Sequence, residues 1–477
     1  MKSLTLPLIV NLNGTLSKSD GLIDAFLLTI LKRPKLVPIV LAALFKSRYD
    51  FNVKLSEFGA FRPQSTPLRD NFISFLKQQH SEGREIHLIS ASPQNVVDAI
   101  ATRVGIFATA TGSKDGVNLK GASKAQYLQT RFADGFTYAG NDAGDLDVWR
   151  HARGIILVGV AKPVEKAACR LGVPIEARIA DKPVLLSTWL RMLRIHQWSK
   201  NLLLFVPLAL AHRYDDLVVM TNGAVAFACM GLVASATYIV NDLSDLDADR
   251  LHRTKKHRPL ASAEISATSG AVCGLILGGL GFIGALLLDP WFAACLLAYI
   301  VLTLAYSIRL KAIALLDVFV LGLLYTLRIV MGTVLLRAAP SPWLLVFSLF
   351  FFFSLSMAKR HVEIIRALER GETGRISGRG YNVTDAPLSL SLGISSSSIA
   401  VMLLFLYVAN DAYPAGAYRH PEWLWAISPL VFLWVIRVWL KSHRGKLDDD
   451  PINFALRDKP SLLLGSLVAI CFCLATL

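Results

Sequence analysis

The chain reads as an N-terminal α/β domain followed by an all-α polytopic membrane bundle of nine transmembrane helices, and three features of its 477 residues lead there. Hydrophobic residues make up 53% of the sequence, more than two ordinary soluble domains carry. Before about residue 185, short apolar strands alternate with amphipathic helical stretches, the pattern of a parallel sheet flanked by helices. Beyond it, apolar runs of membrane-crossing length follow one another to the C-terminus. The expected domains are therefore 1–185 and 186–477.

In the front domain, strands are expected at 6–10, 85–90, 137–140 and 154–158. Segment 25–45 is apolar enough to suggest a span, but Lys32, Arg33, Pro34, Lys35 and Pro38 interrupt it, so a cap helix pair or a surface-lying segment is expected instead. The run at 4–10 is too short for a signal-peptide core, which keeps this domain in the compartment where it is made. The six cysteines, Cys169, Cys229, Cys273, Cys295, Cys471 and Cys473, lack the spacing of a zinc or redox motif and read as small apolar residues.

The nine expected spans lie at 201–212, 218–240, 266–288, 290–306, 312–336, 341–358, 388–408, 422–440 and 460–477. The first is short and is expected to extend back through Trp198 as a tilted helix. Loops 241–265, 307–311, 359–387 and 441–459 hold 18 Lys or Arg residues, whereas the alternate connections hold Arg213, Arg337 and Arg419. By the positive-inside rule the rich loops and the front domain face the cytoplasm, and an odd number of spans leaves the C-terminus outside. The net charge of +15 is the signature of such loops beside anionic headgroups; no nucleic-acid motif accompanies it, so nucleic acid is excluded as a partner.

Directly after the second span comes Asn241-Asp-Leu-Ser-Asp-Leu-Asp-Ala-Asp249. On one helix, Asp242, Asp245 and Asp249 fall at i, i+3 and i+7 and share a face. With Asn241 they form an oxygen-rich patch suited to Mg²⁺, which takes one or two carboxylates and keeps positions for phosphate oxygens. A solvated helix end is the bland alternative, but clustered carboxylates at a membrane boundary repel unless a cation joins them. The loop Arg250-Leu-His-Arg-Thr-Lys-Lys-His-Arg-Pro259 follows, and Lys256 and Arg258 are the expected contacts for a metal-bound diphosphate, with simple membrane anchoring as the competing reading.

Two spans later Tyr306, Ser307, Arg309, Leu310 and Lys311 form a second polar cluster on the same side, with Asp317 and Arg328 deeper in the next helix. Ionisable groups in a span are functional candidates; the alternative is that these two pair with each other to hold helices together.

The run from Asn241 to Ser262 resembles the Asp-rich signature of the UbiA superfamily of intramembrane prenyltransferases, and nine spans is that family's architecture. The resemblance covers about 186–477. Within it, His196-Gln-Trp-Ser-Lys-Asn201, the Tyr306 to Lys311 cluster, Ala358-Lys-Arg-His-Val-Glu363 with Gly378-Arg-Gly-Tyr381, and Asp448-Asp-Asp-Pro451 with Leu456-Arg-Asp458 look closest to decaprenyl-phosphate phosphoribosyltransferases. That resemblance implies Mg²⁺-dependent transfer of 5-phosphoribosyl from phosphoribosyl diphosphate to a polyprenyl phosphate. The product would feed lipid-linked arabinose for an envelope glycan or a secreted oligosaccharide, from a multi-pass protein of the inner membrane.

The carry-over assigns Asn241, Asp242, Asp245 and Asp249 to metal and diphosphate. Tyr306 and Lys311 would contact donor phosphate or ribose, Lys359 and Arg360 would complete a basic rim, and Lys200 would hold the acceptor phosphate. Asp317 joins them as a substrate-binding candidate. A glycine common after Arg-Pro-Leu-Ala-Ser is Ala263 here. The competing readings are an aromatic prenyltransferase using a polyprenyl diphosphate, on a quinone or haem precursor, and a membrane scaffold with both domains degenerate.

The front domain resembles the haloacid dehalogenase superfamily: Asn11-Leu-Asn-Gly-Thr15, Ser90, Lys120 or Lys124, and Gly140-Asn-Asp-Ala-Gly-Asp145 stand at its four motifs, with about 75 residues between the first two for a cap. Asn11 stands in place of the aspartate nucleophile, Asn13 in place of the acid/base and Asn141 in place of a metal ligand. An amide is a poor nucleophile, so the domain is expected not to hydrolyse phosphate esters, while still able to bind a phosphorylated ligand or dock a pathway enzyme. The competing expectation is that Asp142 rescues a metal site.

Overall fold

The structure, a computed structural model, describes residues 6–58, 63–114, 118–376, 378–447, 454–455 and 457–477. The Asp448–Pro451 stretch, Leu456 and the start of the 4–10 run lie outside them. By its internal contacts the chain divides into two compact units, Met1–Leu193 with Asp242–Cys273, and Arg194–Asn241 with Gly274–Leu477.

The first unit is built on β1 (Leu8–Val10), α1 (Gly21–Lys32), α2 (Val37–Lys46), α3 (Arg48–Glu57), α4 (Asp70–Ser81), β2 (Ile86–Pro93), α5 (Gln94–Val104), β3 (Thr109–Ser113), α6 (Ala122–Arg131), β4 (Thr137–Gly140), α7 (Leu146–Trp149), β5 (Gly154–Val158), α8 (Lys162–Cys169), β6 (Ile175–Ile179) and α9 (Leu186–Leu193). Six strands pair in parallel in the order β3-β2-β1-β4-β5-β6. Leu8 lies opposite both Ile86 and Thr137, so β1 is central, and its Leu-Ile-Val is wholly apolar because helices cover both faces.

Strand order reverses at β1, which opens a crevice at the carboxyl ends of β1 and β4. Asn11 and Asn141 follow those two strands directly. α1, α2 and α3 are inserted between β1 and β2, where the sequence left room for a cap. Segment 25–45 is thus a helix pair, broken at Arg33 and Pro34, rather than a span. β3 and β6 were not expected: they are edge strands, short and only partly buried, and their sequences lack an apolar run.

The helical part continues with α10 (Phe205–Leu210), α11 (Leu217–Ser244), α12 (Leu246–Leu251), α13 (Ala267–Leu288), α14 (Pro290–Ile308), α15 (Leu316–Leu336), α16 (Pro342–Glu369), α17 (Ala386–Tyr407), α18 (Ile427–His443) and α19 (Lys459–Thr476). Among the described residues eight helices are long and apolar enough to cross a membrane: α11 and α13 to α19, with the tight turns flanking α17 and α18 counted in. Large apolar side chains such as Leu275, Leu287 and Trp291 are more than half exposed on them, the surface a lipid-facing helix presents. α15 is the most enclosed, with 56% of its apolar window buried against 17% for α13 and α19.

The ninth expected stretch, 201–212, is the exception. It is no single helix but a ten-residue 3₁₀ run, Ile195–Leu204, leading into the six residues of α10. At roughly 2.0 Å and 1.5 Å per residue the two reach about 29 Å. The segment does extend back through Trp198, as expected, and the bundle holds it there. Trp198 donates from Nε1 to Ser235 Oγ at 3.0 Å over the backbone of Gly231, and Gly332 lets Leu204 and Pro207 approach α15.

Candidate active site

The second unit encloses a cavity of about 590 Å³ lined by Gln197, Thr237, Asn241, four tyrosines and seven basic residues: Arg194, Lys200, Arg328, Lys359, Arg360, Arg379 and Arg457. No Asp or Glu lines it among the described residues. Placing so many cations among apolar helices is costly unless each has a partner or an anionic ligand.

Arg328 is held by Asn201 Oδ1 at 3.2 Å, Tyr299 OH at 3.2 Å and the Leu324 carbonyl at 2.6 Å. Its guanidinium carbon also lies 5.4 Å from the Tyr325 ring centre, and the Lys200 ammonium lies 5.8 Å from the same ring. Arg360 donates to Asp317 at 2.6 Å, to Glu363 at 2.6 Å and to Tyr306 OH at 3.1 Å. Arg379 Nη1 reaches the same Tyr306 hydroxyl at 3.5 Å.

Asp317 differs from its expected role. It is fully buried, accepts from Arg360 on one oxygen and from Tyr381 OH at 2.8 Å on the other, and is not among the cavity-lining residues. It fixes the guanidinium that faces the cavity. Nor does it pair with Arg328: each finds separate partners, because a turn-by-turn reading of one helix cannot see Arg360 arriving from α16. Lys311 is half-buried in the short 3₁₀ turn Leu310–Ala312 and does not line the cavity.

The acidic run belongs to the first unit from Asp242 onward. The single helix face expected for Asp242, Asp245 and Asp249 is interrupted: α11 ends at Ser244, Asp245 leaves helical geometry (ψ 9°), and α12 begins at Leu246. Asp242 and Asp249 nevertheless meet at one point, Arg258 Nη1, at 3.1 Å and 2.5 Å. Lys255 Nζ stands 3.9 Å from the other Asp249 oxygen, while Lys256 is exposed. Among the described residues no group of three or more acidic, His or Cys side chains forms a ready metal cluster.

Burial pushes the Asp249 carboxyl above the usual aspartate range, and Asp242 adds to this while Arg258 and Lys255 oppose it. Asp242 and Asp249, two buried carboxylates converging on one guanidinium, are oxygen donors of the kind Mg²⁺ takes alongside phosphate, so these two fit the ion. Ala263, where a glycine was noted as usual, sits at φ 55°, the left-handed region that costs a side-chain-bearing residue about 1–2 kcal/mol.

The crevice of the front domain is a second, separate cavity of about 300 Å³. Of the two candidate lysines, Lys124 is the one that reaches Asn11: it is buried and donates to Asn11 Oδ1 at 3.2 Å and Tyr138 OH at 2.9 Å. Burial holds its ammonium below the usual lysine range. Asp145 accepts from Tyr138 OH and the Asn141 amide, both at 2.8 Å, and Asp142 caps the turn at Gly144. Gly14, at φ 71°, lies so close to Asn141 that any side chain would collide with it.

Sequence reasoning missed Arg194, Tyr299, Tyr325 and Lys255 as site residues, and did not assign Arg379 or Arg457. Arg194 had a usable signal, a cation between Arg191 and Lys200 just ahead of an apolar run.

Membrane-length apolar helices around a cation-lined cavity define a multi-pass membrane protein with a place for an anionic ligand. The chain belongs to the UbiA prenyltransferase family, whose model matches residues 202–457. It is 43% identical to the uncharacterized protein y4nM of Sinorhizobium fredii over 98% of this chain and 91% of that protein. It is 32% identical to the nodulation protein NoeC of Azorhizobium caulinodans, over 60% and 92%. Against a decaprenyl-phosphate phosphoribosyltransferase of Mycobacterium tuberculosis the identity is 30%, over 57% and 89%. Among solved structures, a UbiA homologue from Archaeoglobus fulgidus bound to GPP and Mg²⁺ aligns with 60% of this chain and 98% of its own at 18% identity and TM-score 0.45. A phosphoserine phosphatase, as a phospho-aspartyl intermediate analogue, aligns with 38% and 95% at 13% identity and TM-score 0.27.

Proposed function

We propose that the protein transfers 5-phosphoribosyl from phosphoribosyl diphosphate to a polyprenyl phosphate at the cytoplasmic side of the inner membrane, releasing diphosphate. The observation that carries this reading is the lining of the larger cavity: seven Lys or Arg residues and, among the described residues, no carboxylate. A donor with a 5-phosphate and a diphosphate, meeting a phosphate acceptor, needs that many cations. An aromatic ring as acceptor needs none beyond those for the diphosphate, which disfavours the aromatic prenyltransferase reading. The name of the Mycobacterium tuberculosis relative supports the same choice.

In the reaction an acceptor phosphate oxygen forms a bond to the anomeric carbon while the bond from that carbon to the diphosphate oxygen breaks, and the electron pair leaves with the diphosphate. The acceptor is already an anion, so no general base is required and the protein's work is positioning and charge neutralisation. Lys200 and Arg328 hold phosphate against the tyrosine wall. Arg360, fixed by Asp317 and Glu363, presents its remaining face with Tyr306, and Lys359 and Arg379 extend the basic rim. Asn241, Asp242, Asp245 and Asp249 would hold Mg²⁺, which when bound neutralises charge on the diphosphate. Arg258, which meets Asp242 and Asp249, would be available to phosphate oxygens where those carboxylates hold a cation, and Lys256 and Lys311 would contribute at longer range. The lipid-linked pentose phosphate would serve arabinosylation of an envelope glycan or secreted oligosaccharide.

The front domain is read as catalytically silent, since Asn11 lacks the carboxylate that forms a phosphoenzyme. Phosphatase turnover lost in Asp142→Ala would overturn that. For the transferase, membranes containing the protein are incubated with Mg²⁺, polyprenyl phosphate and radiolabelled phosphoribosyl diphosphate. Label entering the lipid phase, and absent with Asp242→Ala, is the expected result. Consumption of a prenyl diphosphate with an aromatic acceptor, without lipid label, would replace this reading with the alternative.

A further inference from the structure

We infer that the silent front domain positions the acidic loop of the transferase, with Asp24 as the residue that does so. This rests on the reading of Asp242 and Asp249 as the metal and diphosphate carboxylates.

α12 is six residues long, Leu246–Leu251, too short to be a stable helix by itself. It is set off from α11 by the break at Asp245, so its place depends on what it touches. Two of its six side chains are gripped by the cap region of the front domain. Arg250 Nη2 donates to Asp24 Oδ2 at 2.7 Å, with both side chains nearly buried at 7% and 6% exposure. Asp247 Oδ1 accepts from Ser65 Oγ at 2.9 Å. Between them on the same helix lies Asp249, which is turned toward Arg258.

Asp24 is well placed to act as an anchor. It lies in α1, a twelve-residue helix whose N-terminus is capped by Asp20, so its carboxylate is held by a rigid element. Arg250 is tied from its other side by Nε to the Ala261 carbonyl at 3.3 Å, which draws the far end of the basic loop to the same point. One guanidinium thus joins the cap, α12 and the segment after Arg258. A domain that has lost its nucleophile keeps, by this contact, a task in the reaction: it sets the direction of Asp249 without touching substrate. Sequence reading left Arg250 among the anchoring charges and gave Asp24 no role, since 226 positions separate them.

The test uses the full-length protein in membranes or detergent, with two readouts. Asp24→Ala should raise the Mg²⁺ concentration needed for half-maximal transfer by about tenfold or more, the usual effect of removing a group that orients a ligand. In amide hydrogen exchange without substrate it should deprotect 242–262 while the peptides of α14 to α16 stay as in the unaltered protein. Asp24→Leu combined with Arg250→Met removes both charges and leaves none orphaned; it should restore protection relative to Asp24→Ala.

Unchanged exchange and unchanged Mg²⁺ dependence in Asp24→Ala would overturn the inference. So would equal loss of protection in every peptide, which would make the pair a general folding contact. If the unaltered protein transfers no phosphoribosyl group, the donor reading fails, and the exchange readout still decides the anchoring.

Discussion

Lys200 and Asp317 were both assigned to substrate, and their surroundings now separate them. Lys200 faces the cavity, so Lys200→Ala should leave stability intact and weaken binding of the proposed phosphate acceptor by about 1.5–3 kcal/mol, roughly ten- to a hundredfold in KM. Asp317→Ala instead leaves Arg360 buried with Glu363 as its remaining carboxylate partner and the Tyr381 hydroxyl without its acceptor, and should cost about 1–3 kcal/mol, read as a lower melting temperature in detergent. Lys124 supplies a pH test. Its folded pKa is depressed by burial, so protonation favours the unfolded chain and stability rises as pH climbs from the folded value toward the unfolded one. Asn11→Asp puts a carboxylate beside that ammonium, raises its pKa, and should flatten or reverse the slope below the ordinary lysine pKa, measured by exchange of β1 amides. Phosphatase activity should stay absent in that variant, because Asn13 and Asn141 remain amides.

At the scale of elements, glycine decides how closely the spans pack. A Cβ at Gly393 of α17 would run into the ring of Trp439 on α18, whose Nε1 donates to Ser354 Oγ at 3.0 Å. Gly393→Val should therefore destabilise the bundle by about 1–3 kcal/mol, whereas Gly279→Ala, which meets nothing within 4 Å, should be neutral or slightly stabilising by thermal melting. The strongly apolar elements were legible because burial inside the sheet, for β1, β4 and β5, or contact with lipid as well as with neighbouring helices, for the eight long spans, imposes an apolar run. β3, β6 and the 195–210 segment were not. The first two are partly covered edges, and the third owes its 3₁₀ geometry to neighbours such as Gly231 and Gly332. The break at Asp245 was equally invisible, because nothing in Ser-Asp-Leu forbids a helix.

For the whole molecule, the native cysteines offer a topology test. Cys169 in the front domain and Cys473 near the C-terminus are the exposed ones, the other four being buried or half-buried. The positive-inside expectation of cytoplasmic basic loops, with the 195–210 segment counted as a crossing, predicts that these two face opposite sides of the membrane. A membrane-impermeant maleimide should label Cys473 in right-side-out vesicles and Cys169 only in inverted ones. Labelling of both from one side would mean that the 195–210 segment turns back without crossing.

The sequence by itself determined that an α/β domain precedes a multi-pass bundle, that the chain is a UbiA-type transferase, and which acidic and basic stretches are the candidates for its site. Those properties follow from local period, hydropathy and charge, which neighbouring residues carry together. Only the tertiary structure decided that Arg360 rather than Arg328 partners Asp317, that Lys124 rather than Lys120 reaches Asn11, that Lys255 and Arg258 rather than Lys256 meet Asp249, and that Arg250 is held by Asp24. Each of these is a choice among several like-charged residues, and the choice is made by which side chain the fold brings within about 3–4 Å and shields from solvent, a distance that linear order does not encode.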